Sequence, residues 1–323
     1  MTPADPAILA MAIILDLVLG DPRWLPHPVV MIGRLITLLE SGLTRIIRND
    51  FIAGLLLCSL TVLCTAGAAW LLLTTAAALS RLAAVVVAVA LSYTCLAARS
   101  LHRESAQVAA DLVRGDLTAA RASLAGIVGR DTHDLAEPEI WRALVETVAE
   151  NTSDGIVAPL FWLAAGGPVA GLAYKAVSTL DSMVGYKNEH YLYLGRASAR
   201  MDDLLNFIPA RLTALFMILA AAMTGLSPSG AARIALRDRH NHPSPNSGHP
   251  EAAAAGALGV RLGGAATYAG RPSWKEYIGD PLVPLDRQAY NGMIRLMYLT
   301  TLLAAAVFIA AAICWKGTHV THL

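Results

Sequence analysis

Residues 51–73 read FIAGLLLCSLTVLCTAGAAWLLL and residues 82–98 read LAAVVVAVALSYTCLAA, with Arg81 in the short link between them. Neither stretch contains a charged side chain, and their lengths suit the roughly 17–25 residues of a helix that crosses the hydrocarbon core. They predict two membrane-spanning helices joined as a hairpin. The composition agrees, because 55% of the 323 residues are hydrophobic and 15% are charged. Such a chain is too apolar for an ordinary soluble domain.

Two more apolar stretches predict further membrane helices, a spanning or half-spanning helix at residues 204–226 and a spanning helix at residues 294–315. The predicted fold class is therefore all-α, a polytopic integral membrane protein with one domain over residues 1–323. Arginines flank the first hairpin on both sides: Arg23, Arg34, Arg45 and Arg48 before it, and Arg99, Arg103, Arg114, Arg121 and Arg130 after it. Because cytoplasmic loops are enriched in Lys and Arg, both flanks are predicted to face the cytoplasm.

Three segments predict re-entrant, broken or irregular structure. Residues 7–19 are apolar but too short to span a bilayer. Residues 156–174 are interrupted by Gly166-Gly167-Pro168, which predicts a helical hairpin that enters and leaves on one side. Between residues 20 and 35, three prolines predict a stiff loop at the membrane edge. That loop would present three polar side chains, Asp21, His27 and Arg34.

Polar residues concentrate in residues 129–206, directly beside apolar runs. Ionisable groups next to hydrocarbon are costly, so such a concentration indicates a functional site. Pro138 predicts a helix start, and the helix is expected to extend to about Asn151. On it Glu146 and Glu150 are four residues apart and share one face. Because like charges at that spacing repel, a positive partner is expected between them.

This acidic pair suits a magnesium site, since Mg²⁺ is usually held by one or two carboxylates together with substrate phosphates. A second acidic group follows, in which Asp202 and Asn206 fall on one helical face. The alternative for the first pair is a solvated helical face balanced by Arg142. The predicted metal ligands are Glu146, Glu150, Asp154, Asp181 and Asp202.

Cations lie between the two acidic groups, as an anionic phosphate substrate would require. They are Lys175, Lys187, Arg196 and Arg200. Acids for a metal and bases for phosphate together suggest nucleotide or phosphoryl chemistry. No Walker loop, GxGxxG or kinase signature is present, so the residues alone do not single out ATP.

A second polar region, residues 233–286, contains His240, His242 and His249 within ten residues. Zinc binding is one interpretation, and a hydrogen-bonding role is the other, favoured because the loop lacks an HExxH pattern. Neighbouring polar residues suit a loop that binds a ligand through many hydrogen bonds: Arg237, Asp238, Asn241, Ser244 and Asn246. Residues 251–262 predict a helix of small residues that packs closely.

Together these segments resemble the CbiB/CobD family of cobalamin biosynthesis, the adenosylcobinamide-phosphate synthases. The resemblance covers most of the chain in the same order. It is carried by GDPRWLPHPV (20–29), GRDT (129–132), VETVAENTSDGIVAPL (145–160), YKAVSTLDSMVGYKNEHY (174–191), GRASARMDD (195–203) and RDRHNHPSPNSGHPEAAAAGALGVRLGG (237–264).

The resemblance implies an inner-membrane amide ligase that uses ATP and Mg²⁺. It would join the free propionate carboxyl of adenosylcobyric acid to (R)-1-amino-2-propanol phosphate or to the free amino alcohol. A carboxylate is a poor electrophile, so activation as an acyl phosphate is expected, with metal and cationic side chains offsetting the developing charge. The implied site faces the cytoplasm. Expected partners are the corrinoid and amino-alcohol phosphate substrates, other membrane enzymes of nucleotide-loop assembly and a second copy of the chain, with no nucleic acid.

Roles for individual residues are hypotheses that follow from this resemblance. The metal would be organised by the ligands named above, and Lys175, Lys187 and Arg200 would neutralise phosphates. The proton of the attacking amine would go to Asp131, Asp203 or His240, with the choice left open. The predicted catalytic residues are Asp131, Glu146, Glu150, Lys175, Asp203 and His240. The predicted substrate-binding residues are Asp21, His27, Arg34, Asn151, Lys187, Arg200, Arg237, Asp238, Asn241, Ser244 and Asn246.

Three other functions compete with the ligase. The first is a non-catalytic membrane sensor or scaffold related to AmpE, which would not need this density of paired acids and bases. The second is a transporter, suggested by the Gly-Gly-Pro break, although the chain shows no matching pair of broken helices in two halves. The third is a membrane prenyltransferase with two acidic motifs, which a requirement for ATP would distinguish.

Overall fold

The computed structural model describes residues 5–21, 27–186, 188–268 and 270–320, with the backbone alone at 316–320. α-Helices dominate the described residues, and one antiparallel hairpin accompanies them. In chain order the elements are α1 (Pro6–Leu19), α2 (Pro28–Ile46), α3 (Asp50–Leu79), α4 (Arg81–Tyr93), α5 (Ala98–Val113), α6 (Leu117–Ala125), α7 (Glu137–Thr152), α8 (Ala158–Val184), α9 (Tyr191–Leu194), α10 (Arg196–Leu205), α11 (Phe207–Thr224), α12 (Pro228–Asp238), α13 (Gly248–Leu258), β1 (Leu262–Tyr268), β2 (Arg271–Ile278) and α14 (Arg287–Val320). A π-helical turn, Ser153–Val157, lies between α7 and α8.

Five helical stretches among the described residues are long and apolar enough to cross a membrane. They are Asp50–Leu79, Arg81–Val113, Glu137–Val184, Phe207–Thr224 and Arg287–Trp315. The chain is thus an all-α, multi-pass membrane protein, as the sequence predicts. Each of the four predicted spanning segments lies largely within one of these stretches.

The first predicted hairpin forms as expected, and its ends have clear physical causes. The Asn49 side chain accepts a hydrogen bond from the N–H of Ile52 at 3.1 Å and caps the start of α3. Ser80 ends α3 and caps α4, because its hydroxyl accepts from the N–H of Ala83 at 3.0 Å. Ser80 is therefore the single residue between the two helices, and its side chain satisfies a backbone N–H in the first turn of α4.

Packing divides the chain into two compact units. Unit 1 comprises Met1–Ala97, Ala158–Asn206 and Ala305–Leu323, and unit 2 comprises Ala98–Val157 and Phe207–Ala304. Each unit is assembled from stretches that are far apart in sequence. The single domain over residues 1–323 stays a prediction.

In unit 1, α2 and α8 pack against α3 through a buried apolar cluster that includes Ile36, Leu57 and Leu180. α2 begins directly at Pro28, where the missing proline N–H costs nothing because first-turn N–H groups have no helical partner. Arg34 therefore lies inside a helix, and its placement in a proline-stiffened loop was wrong. His27 caps this helix through Nδ1, which accepts from the N–H of Val29 at 3.3 Å.

The predicted break in α8 is confirmed. Gly166 has φ −145° and ψ 17°, and Gly167 has φ 68° and ψ −163°, so neither residue is helical. The Leu163 side chain packs where a Cβ on Gly171 would lie. Eight residues of straight helix would separate these positions by about 12 Å, so the chain folds sharply at the glycines. Entry and exit on one side of the membrane stays a prediction.

In unit 2, α12 and α13 pack with their backbones nearly in contact, since a Cβ on Gly256 would overlap the carbonyl of Gly230. The predicted small-residue helix exists, but its predicted bounds, residues 251–262, were wrong. α13 starts earlier because Pro250 is tolerated in a first turn, and it ends where Gly259 adopts φ 71°. The β1–β2 hairpin that follows was not predicted.

Candidate functional site

Glu146, on α7 in unit 2, is the centre of a buried polar cluster. Its side chain is 4% exposed and forms an ion pair with Arg130, whose side chain is 8% exposed. The other carboxylate oxygen accepts a hydrogen bond from the N–H of Gly263 at 2.8 Å, and the Nε of Arg142 lies 3.9 Å away. The expected positive partner is therefore present. Because Glu146 is buried, a solvated helical face does not describe it.

Glu150 lies one turn further along α7 and is partly exposed. Its Oε1 accepts a hydrogen bond from the Ser247 hydroxyl, just before α13, at 2.9 Å. The amide of Asn151 donates to the carbonyl of Thr147 in its own helix at 2.9 Å. Asp154 follows in the π-helical turn, a local structure that recurs at functional sites.

A third carboxylate, Glu251 on α13, joins this cluster and is 2% exposed. Burial raises its pKa well above the usual value, and the neighbouring Glu146 and Glu150 raise it further. Sequence reasoning missed this residue because it lies in an alanine-rich helix that was interpreted as a packing element. The available signal was a single acid in the first turn of an otherwise apolar helix.

Lys275, on β2, provides a third cation. Burial acts to lower its pKa, but Glu251 and the other nearby acids outweigh burial, and the pKa is raised. Its Nζ lies 3.1 Å from the Nε2 of His242. Sequence reasoning missed Lys275 because the hairpin that carries it was not predicted.

His242 connects the lysine to the buried acid. Its Nδ1 accepts from the N–H of Ser244 at 3.0 Å. Its Nε2, which faces Lys275, lies 3.6 Å from Glu251 Oε1. Burial, and secondly Lys275, lower the pKa of His242 to about 4. Lys275, His242 and Glu251 thus lie next to one another in space, and His242, the middle group, is neutral at neutral pH.

The other two histidines of this loop lie close together, with 6.4 Å between the ring centroids of His240 and His249. Burial lowers the pKa of His249 to about 4, with Arg211 and Arg239 as further causes. The hydrogen bonds of His242 agree with the hydrogen-bonding interpretation of the loop.

A metal site requires donor atoms that are close together and free to bind. Across the described ranges, no group of three or more His, Cys, Asp or Glu side chains is placed to hold a metal ion. Both oxygens of Glu146 already have protein partners, whereas Glu150 is partly exposed. The residues therefore fit Mg²⁺ only in its usual mode, with one or two carboxylates and the remaining ligands from phosphate and water.

Several predicted binding residues organise the walls of the cluster. Asp238 accepts two hydrogen bonds from Arg237, at 2.7 and 2.8 Å, and one from the N–H of Gly279 at 2.8 Å. The hydrogen bonds from Arg237 are the main cause of the lowered pKa of Asp238. Asn241 donates to the carbonyl of Tyr277 at 2.8 Å. These contacts attach α12 and the following loop to the end of β2.

The remaining predicted residues of the loop have similar contacts. Ser244 accepts from the N–H of Asn246 at 3.2 Å, and the Asn246 amide oxygen accepts from Arg211 at 3.3 Å. Asp131 accepts from the N–H of Gly270 at 2.7 Å and so holds the turn of the hairpin. Unit 2 thus contains a large part of the predicted set: Asp131, Glu146, Glu150, Asn151, Asp154, Arg237, Asp238, His240, Asn241, Ser244 and Asn246.

The other predicted residues lie in unit 1: Asp21, His27, Arg34, Lys175, Asp181, Arg200, Asp202 and Asp203. Lys187 falls outside the described residues. The predicted shared face of Asp202 and Asn206 is confirmed, because the Asn206 amide donates to Asp202 at 2.9 Å. The Tyr174 hydroxyl donates to the other end of the same amide at 2.9 Å. The side chain of His27 lies 3.4 Å from Asp21.

Comparison with known proteins gives consistent results along the chain. A family model described as CobD/Cbib protein matches residues 9–297. A protein named cobalamin biosynthesis protein CobD from Pelobacter propionicus is 66% identical over 323 residues, which is 100% of both chains. One with the same name from Geobacter metallireducens is 61% identical over 311 residues, or 95% of this chain and 98% of that protein. The cobalamin biosynthesis protein CbiB of Salmonella typhi is 47% identical over 309 residues, covering 94% and 97%. No solved structure matches the chain.

Proposed function

The chain belongs to the CobD/CbiB protein family, and from that membership we propose that it is an adenosylcobinamide-phosphate synthase. Its relatives carry the name cobalamin biosynthesis protein, which supports a role in that pathway. The proposed reaction joins the propionate carboxyl of adenosylcobyric acid to the amine of (R)-1-amino-2-propanol phosphate or of the free amino alcohol. ATP and Mg²⁺ are part of the proposal.

The observation that carries this proposal is the largely buried cluster of three acids and three cations in unit 2. The acids are Glu146, Glu150 and Glu251, and the cations are Arg130, Arg142 and Lys275. Burying so many ionisable groups is costly, and an apolar core would be at least as stable. The cluster is therefore best explained by chemistry on a charged substrate.

ATP would supply the activation of the carboxyl group, and Mg²⁺ would offset negative charge on the phosphates. Glu150 is the carboxylate best placed to hold the metal, since it is partly exposed, while Glu146 is engaged by Arg130. Asp154, Asp181 and Asp202 remain proposed ligands from the sequence. Lys275 would stabilise the anionic groups of the substrate electrostatically, because a preorganised cation in a buried site is worth more than one in water.

Amide formation also releases a proton from the attacking amine. We assign its acceptance to the ionised form of Glu251, assisted by His242, whose Nε2 lies 3.6 Å from Glu251 Oε1, because a buried carboxylate is a stronger base than an exposed one. Asp131 is less suited, since it holds the turn of the hairpin through Gly270. Asp203 and His240 stay predictions from the sequence.

The proposed site faces the cytoplasm of the inner membrane, where ATP is available. The polar loop around Asn241, Ser244 and Asn246, together with the glycine-rich residues 256–270, would form a rim for the amide fringe of the corrinoid. Association with other membrane enzymes of the pathway, or with a second copy of the chain, is part of the same proposal.

The direct test is reconstitution of the purified full chain in detergent. ATP, Mg²⁺, adenosylcobyric acid and aminopropanol phosphate are supplied, and the corrinoid product and ADP are followed by mass spectrometry. Product that requires every component is expected. Corrinoid binding without product would refute the ligase and favour the non-catalytic sensor or scaffold.

Two variants test the assignment of the site. Glu150→Gln and Lys275→Met should lower turnover at least 100-fold, a typical loss for an electrostatic group at a reacting centre. Glu150 is partly exposed, so Glu150→Gln should change the melting temperature little. The matched controls are Glu104→Gln and Arg271→Met, which alter exposed residues of the same charge type. Near-normal turnover in the two site variants would remove those residues from the mechanism.

A further inference from the structure

Unit 1 contains a cavity of ≈ 1450 Å³, and Arg200 is the one residue of its described lining that the sequence predicts as a substrate-binding residue. It exceeds the roughly 300–1,000 Å³ of sites that hold drug-sized ligands. One wall is a single face of α3, with Phe51, Leu55 and Val62, and the opposite wall comes from α8 and α10. Ala170 and Ala173 on α8 leave space because their side chains are small.

Three arginines line this cavity. Arg48 precedes α3, and Arg196 and Arg200 lie one turn apart on α10, and all three line the cavity. Within the described part of the chain, none of the three forms an ion pair. Asp50 is the one carboxylate among the described lining residues. The cations are therefore available to an anionic ligand.

The position of the cavity along α3 relates it to the bilayer. α3 has 30 residues and is about 45 Å long, so it exceeds the ~30 Å hydrocarbon core and its ends reach the head-group regions. Arg48 lies just before α3 and therefore at head-group depth. From there the lined face extends to Leu63, about 22 Å along the helix. That length is sufficient for the ~15 Å of one leaflet.

We propose that this cavity binds an anionic membrane phospholipid. The phosphate head group would contact Arg48, Arg196 and Arg200, and an acyl chain would lie along the apolar face of α3. Arginine suits this role because its guanidinium recognises phosphate in a bidentate manner. Basic pockets between membrane helices are a recurrent form of lipid-specific recognition.

A small phosphorylated metabolite would use only the arginines of the cavity. It would leave the apolar length along α3 without an occupant, whereas a phospholipid uses both the arginines and the apolar face. The inference does not depend on the ligase proposal, because lipid binding is measured without turnover.

The test is native mass spectrometry of the full chain, released from detergent that contains phosphatidylglycerol or phosphatidylcholine with the same acyl chains. The wild type should retain phosphatidylglycerol in preference to phosphatidylcholine. In the double variant Arg48→Gln/Arg196→Gln, the preference for phosphatidylglycerol over phosphatidylcholine should fall about fivefold for each arginine removed, roughly 30-fold in total. The control Arg45→Gln/Arg81→Gln, which alters arginines that do not line the cavity, should keep it.

A second variant tests the apolar part of the cavity. Ala173→Trp, on α8, should reduce retention of phosphatidylglycerol by filling the space beside α3. The control Leu72→Trp, at an exposed position of α3, should not reduce it. Equal retention of both lipids by the wild type would overturn the proposal. Displacement of phosphatidylglycerol by millimolar inorganic phosphate or aminopropanol phosphate would also overturn it, because the cations would then serve a soluble phosphate.

Discussion

Replacing Arg130 with Met should destabilise unit 2 more than any surface substitution. The Arg130 side chain is 8% exposed and pairs with Glu146, whose side chain is 4% exposed. Methionine retains most of the apolar volume but removes the charge, so the Glu146 carboxylate stays buried without its main counter-ion. The hydrogen bond from Gly263 and the more distant Arg142, at 3.9 Å, then remain as its nearest partners.

The size of the effect follows from the cost of an uncompensated buried charge. Removing one partner of a buried ion pair typically costs about 3–5 kcal/mol. The two remaining interactions of Glu146 offset part of this, so a loss near the lower end, about 3 kcal/mol, is expected. Glu146→Gln should cost a similar amount because it leaves the buried cation of Arg130 unpaired, although the amide oxygen still accepts from Gly263. The double variant Arg130→Met/Glu146→Gln should recover much of the loss, since neither charge remains.

The measurement is a double-mutant cycle in detergent micelles, with denaturation followed by tryptophan fluorescence. A coupling energy of at least about 2 kcal/mol between the two substitutions is expected for residues in direct contact. Arg271→Met, at an exposed position on β2, is the control and should change the free energy of unfolding by less than about 0.5 kcal/mol. Additive losses, or a loss below about 1 kcal/mol for Arg130→Met, would refute the buried ion pair as the organising contact of the cluster.

Two further predictions concern the hairpin and the histidine. Gly263 has φ 80°, and a Cβ there would overlap the carbonyl of Glu276, so Gly263→Ala should destabilise the protein by at least about 1–3 kcal/mol. The control Gly42→Ala, with nothing near its Cβ position, should be neutral or stabilising. Equal melting temperatures of the two variants would contradict this prediction. The pKa of His242 is lowered from 6.5 to about 4, so its contribution to stability is complete above pH 6.5 and is lost, by up to about 3 kcal/mol, as the pH falls towards 4. His242→Gln should flatten that part of the profile of stability against pH, and the exposed control His133→Gln should not. An unchanged profile in His242→Gln would show that the histidine is not buried in its neutral form.

Local sequence patterns identified the parts of the fold that depend on local physics. The spanning helices around α3, α11 and α14 were predictable because hydrophobicity over about 20 residues is sufficient for membrane insertion. The break at Gly166-Gly167 was predictable because no other residue pair in that run permits such backbone angles so readily. The like-charged pair Glu146 and Glu150 also predicted a cation nearby, although not which one.

The misses have two causes, a local signal that was misread and the dependence of other conformations on distant partners. Arg34 was placed in a loop because the prolines before it were read as breakers, whereas Pro28 starts a helix. The β1–β2 hairpin was not predicted because its glycines and exposed polar residues lack the alternation of a typical strand. Lys275 was missed together with the hairpin, and Glu251 was interpreted as part of a packing helix.

The sequence by itself determined that this chain is a multi-pass helical membrane protein, because burial of apolar runs in lipid requires no knowledge of the partner helix. Motif content also placed it in its family. Only the tertiary structure decided which charges meet. The N–H of Gly263 is 117 residues from Glu146 in the chain, and Lys275 contacts His242 from β2. The free energy of a buried charge depends on partners within a few ångströms, and those partners are brought together by packing rather than by any pattern along the chain.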